Sequence, residues 1–319
     1  MILITGSTGF VGMHLLKELS ESKTQIVAMY RSENKKKMVE CFFNNTNSKI
    51  ENIIWRKSNI NDVISLDEVF KGITQVYHCA GYISFSNSDK EKLYNVNKRG
   101  TENIVNLCID KKISKLVYLS SISSLGEEVD EVEVDENTIW DNSSERTFYS
   151  YSKYRAELEV WRGIEEGLEA IIINPGIIMG KCSRKNTPQS KIEKMLIKSP
   201  FCFYTKGNSG FVNIFDVVKV SVELMLSNIS NERFILVSEN YDYLSIITKL
   251  KQSLNINKKA ISVNKKVLYA ILFFDFILSS IRLKKSNLSV RFIKSMFNKK
   301  TYNGSKIIKF LPSFNYSNI

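Results

Sequence analysis

At 319 residues the chain exceeds a typical single domain, yet Pro (4) and Gly (14) are few and no linker-like stretch divides it, so one domain with an embedded smaller lobe is expected. A composition of 43% hydrophobic and 24% charged residues argues against a disordered or fibrous chain, and five scattered cysteines with no C-x-x-C pair argue against a disulfide framework or a zinc site. The net charge of +12 lies wholly in the C-terminal quarter, where Ser245 to Ile319 holds 15 Lys or Arg against Asp275 alone; no nucleic-acid module accompanies it, so no nucleic-acid partner is expected.

Ile2 to Thr5 is a short apolar run entering a glycine-rich turn, and Phe10 to Leu19 follows at helical spacing: strand, turn, helix. A strand starting at residue 2 leaves no room for a leader, and a cytoplasmic protein is expected. Gln25 to Tyr30 is the next strand. A polar, Lys- and Asn-rich stretch (Ser32 to Lys49) precedes a third strand at Ile53 to Trp55, a helix at Ile64 to Phe70 and a fourth strand at Gln75 to Cys79. Asn95 to Cys108 reads as a helix, Lys115 to Ser120 as a strand, Tyr149 to Glu166 as a long helix and Ala170 to Asn174 as another apolar strand. Strands without polar alternation, separated by helices, predict an α/β fold: a doubly wound parallel sheet covered on both faces. After Pro175 the pattern weakens to loops and a helix near Ile192 to Ile197. Asp216 to Leu226 is a helix, Arg233 to Val237 a strand, and the remainder mostly helical and basic. Val267 to Leu283 is strongly apolar but short for a span and interrupted by Asp275, so it reads as a buried helix, not a transmembrane one.

The first turn, Thr5-Gly6-Ser7-Thr8-Gly9-Phe10-Val11-Gly12, spaces its glycines G-x-x-G-x-x-G between strand and helix. Glycine allows the tight turn and lets backbone N–H groups approach a pyrophosphate at a helix N-terminus. In this the sequence resembles the extended branch of the short-chain dehydrogenase/reductase superfamily. Further matches follow in order: Val76-Tyr77-His78-Cys79-Ala80-Gly81, Asn97-Lys98-Arg99-Gly100-Thr101, Leu119-Ser120-Ser121, the Y-x-x-x-K of Tyr149 to Lys153, and Asn174-Pro175-Gly176. The resemblance implies a Rossmann dinucleotide domain from residues 1–175 plus 213–238 and a smaller, mostly helical substrate lobe from 176–212 plus 239–319. It implies cofactor contacts from Gly6, Ser7, Thr8, Gly9, Phe10, Val11, Gly12, Arg31, Asn59, Ile60, Ala80, Gly81, Lys153, Pro175 and Ile177, and it is compatible with a homodimer through the Tyr149 helix.

Tyr149 and Lys153, four apart on a helix, share a face. A free tyrosine ionises near 10, and a neighbouring ammonium is expected to lower it toward a useful acid/base range. Ser121, at a strand's C-terminal end, is the candidate to hold the reacting oxygen, with Ser120, Ser123 and Ser124 as competitors; Asn97 matches the family residue that helps orient the lysine, its alternative being helix packing. Where an acidic residue normally reads the ribose of NAD, strand two ends Tyr30-Arg31-Ser32, so NADP is preferred, with Glu33 leaving NAD open. Asn59 departs from the usual aspartate beside adenine. Phe85, Tyr204 and Phe211 are pocket candidates, though core packing is the commoner role. His14 and His78 are not site candidates, and no metal is expected.

Within the superfamily the look is that of the flavonol reductase-like and 3β-hydroxysteroid dehydrogenase-like group, including proteins termed NAD-dependent epimerase/dehydratase. The first reading is an NAD(P)-dependent oxidoreductase acting on a carbonyl or secondary alcohol of a small apolar molecule. A sugar-nucleotide epimerase/dehydratase is the second. A non-catalytic dinucleotide-binding protein or one in peripheral membrane contact through its basic end is the third, although that charge also reads as compositional drift in a Lys-, Asn- and Ile-rich chain.

Overall fold

Every strand predicted from the apolar runs forms. The computed structural model describes residues 1–46, 48, 50–126, 133–140, 146–180, 188–280 and 289–319. Its strands are β1 (Ile2–Thr5), β2 (Ile26–Tyr30), β3 (Ile53–Lys57), β4 (Gln75–His78), β5 (Lys115–Leu119), β6 (Glu133–Val134), β7 (Ala170–Pro175), β8 (Ile177–Met179), β9 (Cys202–Tyr204), β10 (Asn208–Asn213), β11 (Glu232–Leu236), β12 (Glu239–Asp242), β13 (Ala260–Ser262) and β14 (Thr301–Tyr302). The helices are α1 (Phe10–Ser20), α2 (Glu33–Asn45), α3 (Val63–Phe70), α4 (Lys90–Leu93), α5 (Gly100–Asp110), α6 (Phe148–Glu165), α7 (Pro188–Lys198), α8 (Ile214–Leu226), α9 (Tyr243–Ser253), α10 (Lys265–Ser280), α11 (Val290–Ser295) and α12 (Lys306–Phe310).

Seven strands form one parallel sheet in the order β11-β7-β5-β4-β1-β2-β3, with Leu3 in register with Val27 on one side and Val76 on the other. The chain winds outward from β1 to β3, returns to β4, and winds the other way to β11. Strand order therefore reverses between β1 and β4, and ligands of such sheets bind outside the carboxyl ends of the strands at that reversal. Alternation along each strand divides the core in two. Ile4, Val117 and Ile171 join α1, α8 and α12 through Leu15, Val220 and Ile307, whereas Leu3, Leu116 and Tyr118 join α3, α5 and α6 through Leu66, Ile104 and Val160. Ile307 and Phe314, from the segment expected in the lobe, thus lie in the core beneath the sheet.

The polar stretch from Ser32 to Lys49, where the sequence pattern marks no element, contains α2. Val39, Phe42 and Phe43 recur at helical spacing and are buried, enough to seat an otherwise solvated helix. The lobe carries strands as well as helices: β12-β10-β8 form a three-stranded sheet and β13 pairs with β9, over a core that includes Leu196, Phe211, Ile246 and Leu250. Strands of three to six residues are too short for alternation to mark them. The expectation of a buried helix at Val267 to Leu283 is corrected for its described part. Val267, Ile271 and Phe273 are 47%, 48% and 61% exposed, because α10 packs at the margin of the lobe against α11. Among the described residues no helix is long and apolar enough to cross a membrane.

Candidate active site

The glycine-rich turn lies at the strand reversal, and its glycines are required by close approach. Gly6 has φ +65°, and a Cβ there would fall 2.6 Å from the Ala80 nitrogen; a Cβ on Gly12 would fall 2.3 Å from the Gly6 carbonyl oxygen. Ser7 is buried and donates to the Met29 carbonyl at 2.8 Å, tying the turn to β2. Gly9 caps α1 without a side-chain hydrogen bond, and the first turn carries no acidic residue. Backbone donors and the positive end of the helix dipole therefore face the crevice uncancelled, which fits the pyrophosphate of a dinucleotide. Thr8, Phe10 and Val11 complete this turn.

Arg31 is exposed just beyond β2. The Glu33 carboxylate is already engaged: it accepts from the Tyr30 hydroxyl at 2.9 Å and lies 3.8 Å from the Lys57 ammonium. Asn59 is exposed at the end of β3, and Ile60 is buried against Gly100, so of this pair Asn59 faces solvent and Ile60 supports α5. Ala80 and Gly81 follow β4 beside Gly6, while Pro175 and Ile177 sit at the end of β7 and the start of β8.

Tyr149 stands in the first turn of α6, which Thr147 caps by accepting from the Ser150 N–H at 3.0 Å. Burial raises the Tyr149 pKa, and the Ser121 side chain beside it opposes the rise. Of the four serines after β5, Ser121 is therefore the one on the phenol; Ser120 and Ser124 instead donate to Glu157, each at 2.7 Å. Lys153, one turn along α6, is 4% exposed. Its ammonium donates to the Tyr118 hydroxyl at 2.8 Å and to the Leu119 carbonyl at 2.9 Å, and burial brings its pKa down to about 7. The expectation that Lys153 lowers Tyr149 is corrected: burial governs both groups and drives each toward its neutral form.

Asn97 is buried in a π-helical turn (Tyr94–Arg99) between α4 and α5. Its side chain accepts from the Tyr82 N–H at 2.7 Å and donates to the Tyr82 carbonyl at 3.0 Å and to Ser152 at 2.9 Å, so it clamps the chain after β4 to α6. Phe85 lies edge-on to Tyr149, with ring centroids 5.8 Å apart. Tyr204 and Phe211 lie instead in the core of the lobe.

Three residues near the site were not anticipated. Glu157 continues the Tyr149, Lys153 face of α6 by one more turn, a signal present in the spacing. Tyr118 alternates off the sheet toward α6. Phe292 of α11 stacks on Phe85 with centroids 4.0 Å apart and planes 15° from parallel, a contact between residues 207 positions distant that no local pattern marks. Among the described residues no cluster of His, Cys, Asp and Glu could hold a metal ion.

The NAD dependent epimerase/dehydratase family model matches residues 2–234. A dihydroflavonol 4-reductase of Dianthus caryophyllus is 26% identical over 274 residues, spanning 78% of this chain and 76% of the relative. A UDP-glucose 4-epimerase of Vibrio cholerae is 29% identical over 248 residues, spanning 76% and 71%. The crystal structure of UDP-glucuronic acid 4-epimerase from Bacillus cereus in complex with UDP-glucuronic acid and NAD covers 99% of this chain and 94% of its own with a TM-score of 0.77 at 16% identity, a likeness of fold.

Proposed function

Because the chain belongs to the NAD-dependent epimerase/dehydratase family of enzymes, we propose that it reduces a carbonyl of a small apolar substrate, or oxidises the corresponding secondary alcohol, with NADP preferred over NAD. The observation that carries this reading is the buried Tyr149 phenol, with Ser121 opposing the effect of burial on it, covered by Phe85 and one helical turn from Lys153. Burial keeps the phenol protonated near neutral pH, which suits a proton donor to a substrate oxygen.

When bound, the nicotinamide supplies or accepts the hydride. The protein's own residues do the rest. Residues 1–175 with 213–238 hold the dinucleotide: the Gly6 to Gly12 turn takes the pyrophosphate, and Asn59, Ala80, Gly81, Pro175 and Ile177 line its path, with Ile60 packed behind them against α5. Residues 176–212 with 239–295 supply the substrate lobe, from which Phe292 reaches Phe85, while Ile307 and Phe314 return to the core beneath the sheet. Ser121 holds the reacting oxygen, Tyr149 passes its proton to that oxygen, and Lys153 bonds the ribose hydroxyls. Asn97 fixes the backbone that faces α6. The stacked Phe85 and Phe292 rings favour an apolar substrate next to the phenol. Arg31, with Glu33 already engaged, favours the 2′-phosphate of NADP. Free thiols at Cys41, Cys79, Cys108 and Cys202 accord with a cytoplasmic setting; Cys182 lies outside the described residues.

The test pairs binding with turnover. Fluorescence titration is expected to show NADPH bound more tightly than NADH, and Tyr149→Phe is expected to keep that binding while turnover on a ketone or aldehyde panel falls by about 10²–10⁴-fold. Undiminished turnover in Tyr149→Phe would sink the acid/base role. The Vibrio cholerae relative supports the second reading, a sugar-nucleotide epimerase using the same Tyr149 and Lys153. NAD found by mass spectrometry to survive purification would favour it.

A further inference from the structure

Beneath the site runs a chain of buried hydrogen bonds whose donors can be assigned one at a time. Thr101 donates to the Asn97 carbonyl at 2.6 Å, and a hydroxyl has one proton to give. His78 Nε2, 3.0 Å from the same Thr101 oxygen, is therefore a donor. With the buried ring neutral, its Nδ1 then accepts, and Thr5, 2.6 Å away, donates to it. The Thr5 oxygen in turn accepts from the Ala80 N–H at 3.3 Å. Every proton is placed with His78 neutral, and burial holds its pKa down to about 3, the Lys153 charge acting in the same direction.

Tyr118 joins this chain to Lys153. Its ring stacks on His78 with centroids 5.3 Å apart, and its hydroxyl meets Thr101 and Ser120. The same hydroxyl accepts from the Lys153 ammonium at 2.8 Å, which also lies 4.5 Å from the ring centroid. Ser120 passes the connection on to Glu157, whose other oxygen pairs with Arg233. Tyr118 and Lys153 are 0% and 4% exposed, so no bulk water competes for either group.

We infer that Tyr118 is a positioning residue, whose hydroxyl holds the Lys153 ammonium between β5 and α6 and keeps it charged there. The assignment rests on the reading of Tyr149 and Lys153 as the reacting pair. Lys153 is faced by Tyr149 and Glu157 from α6, by His78 at the end of β4 and Cys79 just after it, and by Tyr118 from β5. Burial lowers its pKa to about 7, with Glu157 and Cys79 acting upward. The Glu157 charge is shared with Arg233, and the atoms bonded to the ammonium are the Tyr118 oxygen and the Leu119 carbonyl. Removing the Tyr118 oxygen takes away an acceptor that favours the charged amine. Thr101 acts at one remove, through its contact with the Tyr118 hydroxyl.

The experiment is an NMR pH titration of the full chain labelled with ¹³Cε-lysine, without cofactor. One lysine signal is expected to titrate near neutrality, well below ordinary lysines, and to be missing from Lys153→Gln. Tyr118→Phe keeps the ring and its stacking, and should move that inflection down by about one pH unit, the tenfold that a hydrogen bond to a charge contributes. Thr101→Val should move it down by less, and serves on its own should Tyr118→Phe not fold. A purely structural role for Tyr118 would leave the inflection in place. An unchanged inflection in whichever variants fold, or no native lysine titrating near neutrality, overturns the inference. NADPH titration of the same native sample judges the proposed function separately: absence of binding would sink that reading while the lysine titration still decides the role of Tyr118.

Discussion

At Tyr149 and Lys153 the spacing and the surroundings make separate contributions. A separation of four residues puts both side chains on one face of α6, but burial, and not their mutual charge, sets their ionisation. Burial acts on His78 as well, with a consequence for stability. A histidine held neutral in the fold at a pKa of about 3, against 6.5 when unfolded, lets the unfolded chain bind the extra proton between those values. Its contribution is therefore intact above pH 6.5 and lost as pH falls toward 3. Lys153 is protonated in both states below pH 6 and adds no slope there. Urea unfolding at pH 6 and pH 5 should show the native chain losing roughly 1–2 kcal/mol more than a His78→Gln variant; equal losses would mean that His78 does not stay neutral. Gly6→Ala should also destabilise. At φ +65° an alanine carries roughly 1–3 kcal/mol of backbone strain, and its Cβ meets the Ala80 backbone. A melting point unchanged from the native chain would show that the turn has room the structure does not contain.

α6 is held to the sheet by a buried carboxylate. Glu157 accepts from Ser120 after β5, from Ser124 and from Asn174 on β7, and pairs with Arg233 on β11. Removing it would leave three donors and a partly buried guanidinium without their acceptor, so Glu157→Ala should cost about 3–5 kcal/mol in denaturant unfolding. Glu157→Gln should cost less, since an amide oxygen still accepts. Equal, small losses in both would mean that the helix is seated by its apolar face alone, through Ala156 and Val160. The turn between α4 and α5 is the other device at this scale. Its π-helical geometry turns Asn97 inward to Tyr82 and Ser152, an orientation that an uninterrupted helix over Asn95 to Cys108 does not predict.

For the molecule as a whole, the proposed dinucleotide preference predicts a binding signature. NADPH at a hundred times its Kd should raise stability by about 2.7 kcal/mol through mass action. Arg31→Ala should weaken NADPH by roughly tenfold or more, the loss of a charge-assisted hydrogen bond, and leave NADH unaffected. Equal weakening of both would place Arg31 outside 2′-phosphate recognition. Phe292 belongs to this scale too, since the C-terminal part of the chain reaches the site through it, and that part also returns beneath the sheet at Ile307 and Phe314.

The sequence alone marked which segments are the sheet strands and that they run parallel, because strands covered on both faces must be apolar throughout and those runs are visible without tertiary information. It also determined the glycine-rich turn and the pairing of Tyr149 with Lys153, since glycine spacing and helical spacing act within a few residues. What the tertiary structure decided lies across longer distances. α2 was hidden in a polar stretch because three buried residues seat it; the short lobe strands offered too few residues for alternation; Val267, Ile271 and Phe273 of α10 proved exposed because what an apolar helix packs against is not written in its own composition. Ser121 was separated from Ser120 and Ser124 by Glu157, which draws both of them away. The surroundings of Lys153, with Tyr118, His78 and Thr101 converging from β4, α5 and β5, arise where three elements meet, and burial, the quantity that sets ionisation there, is a property of the assembled fold.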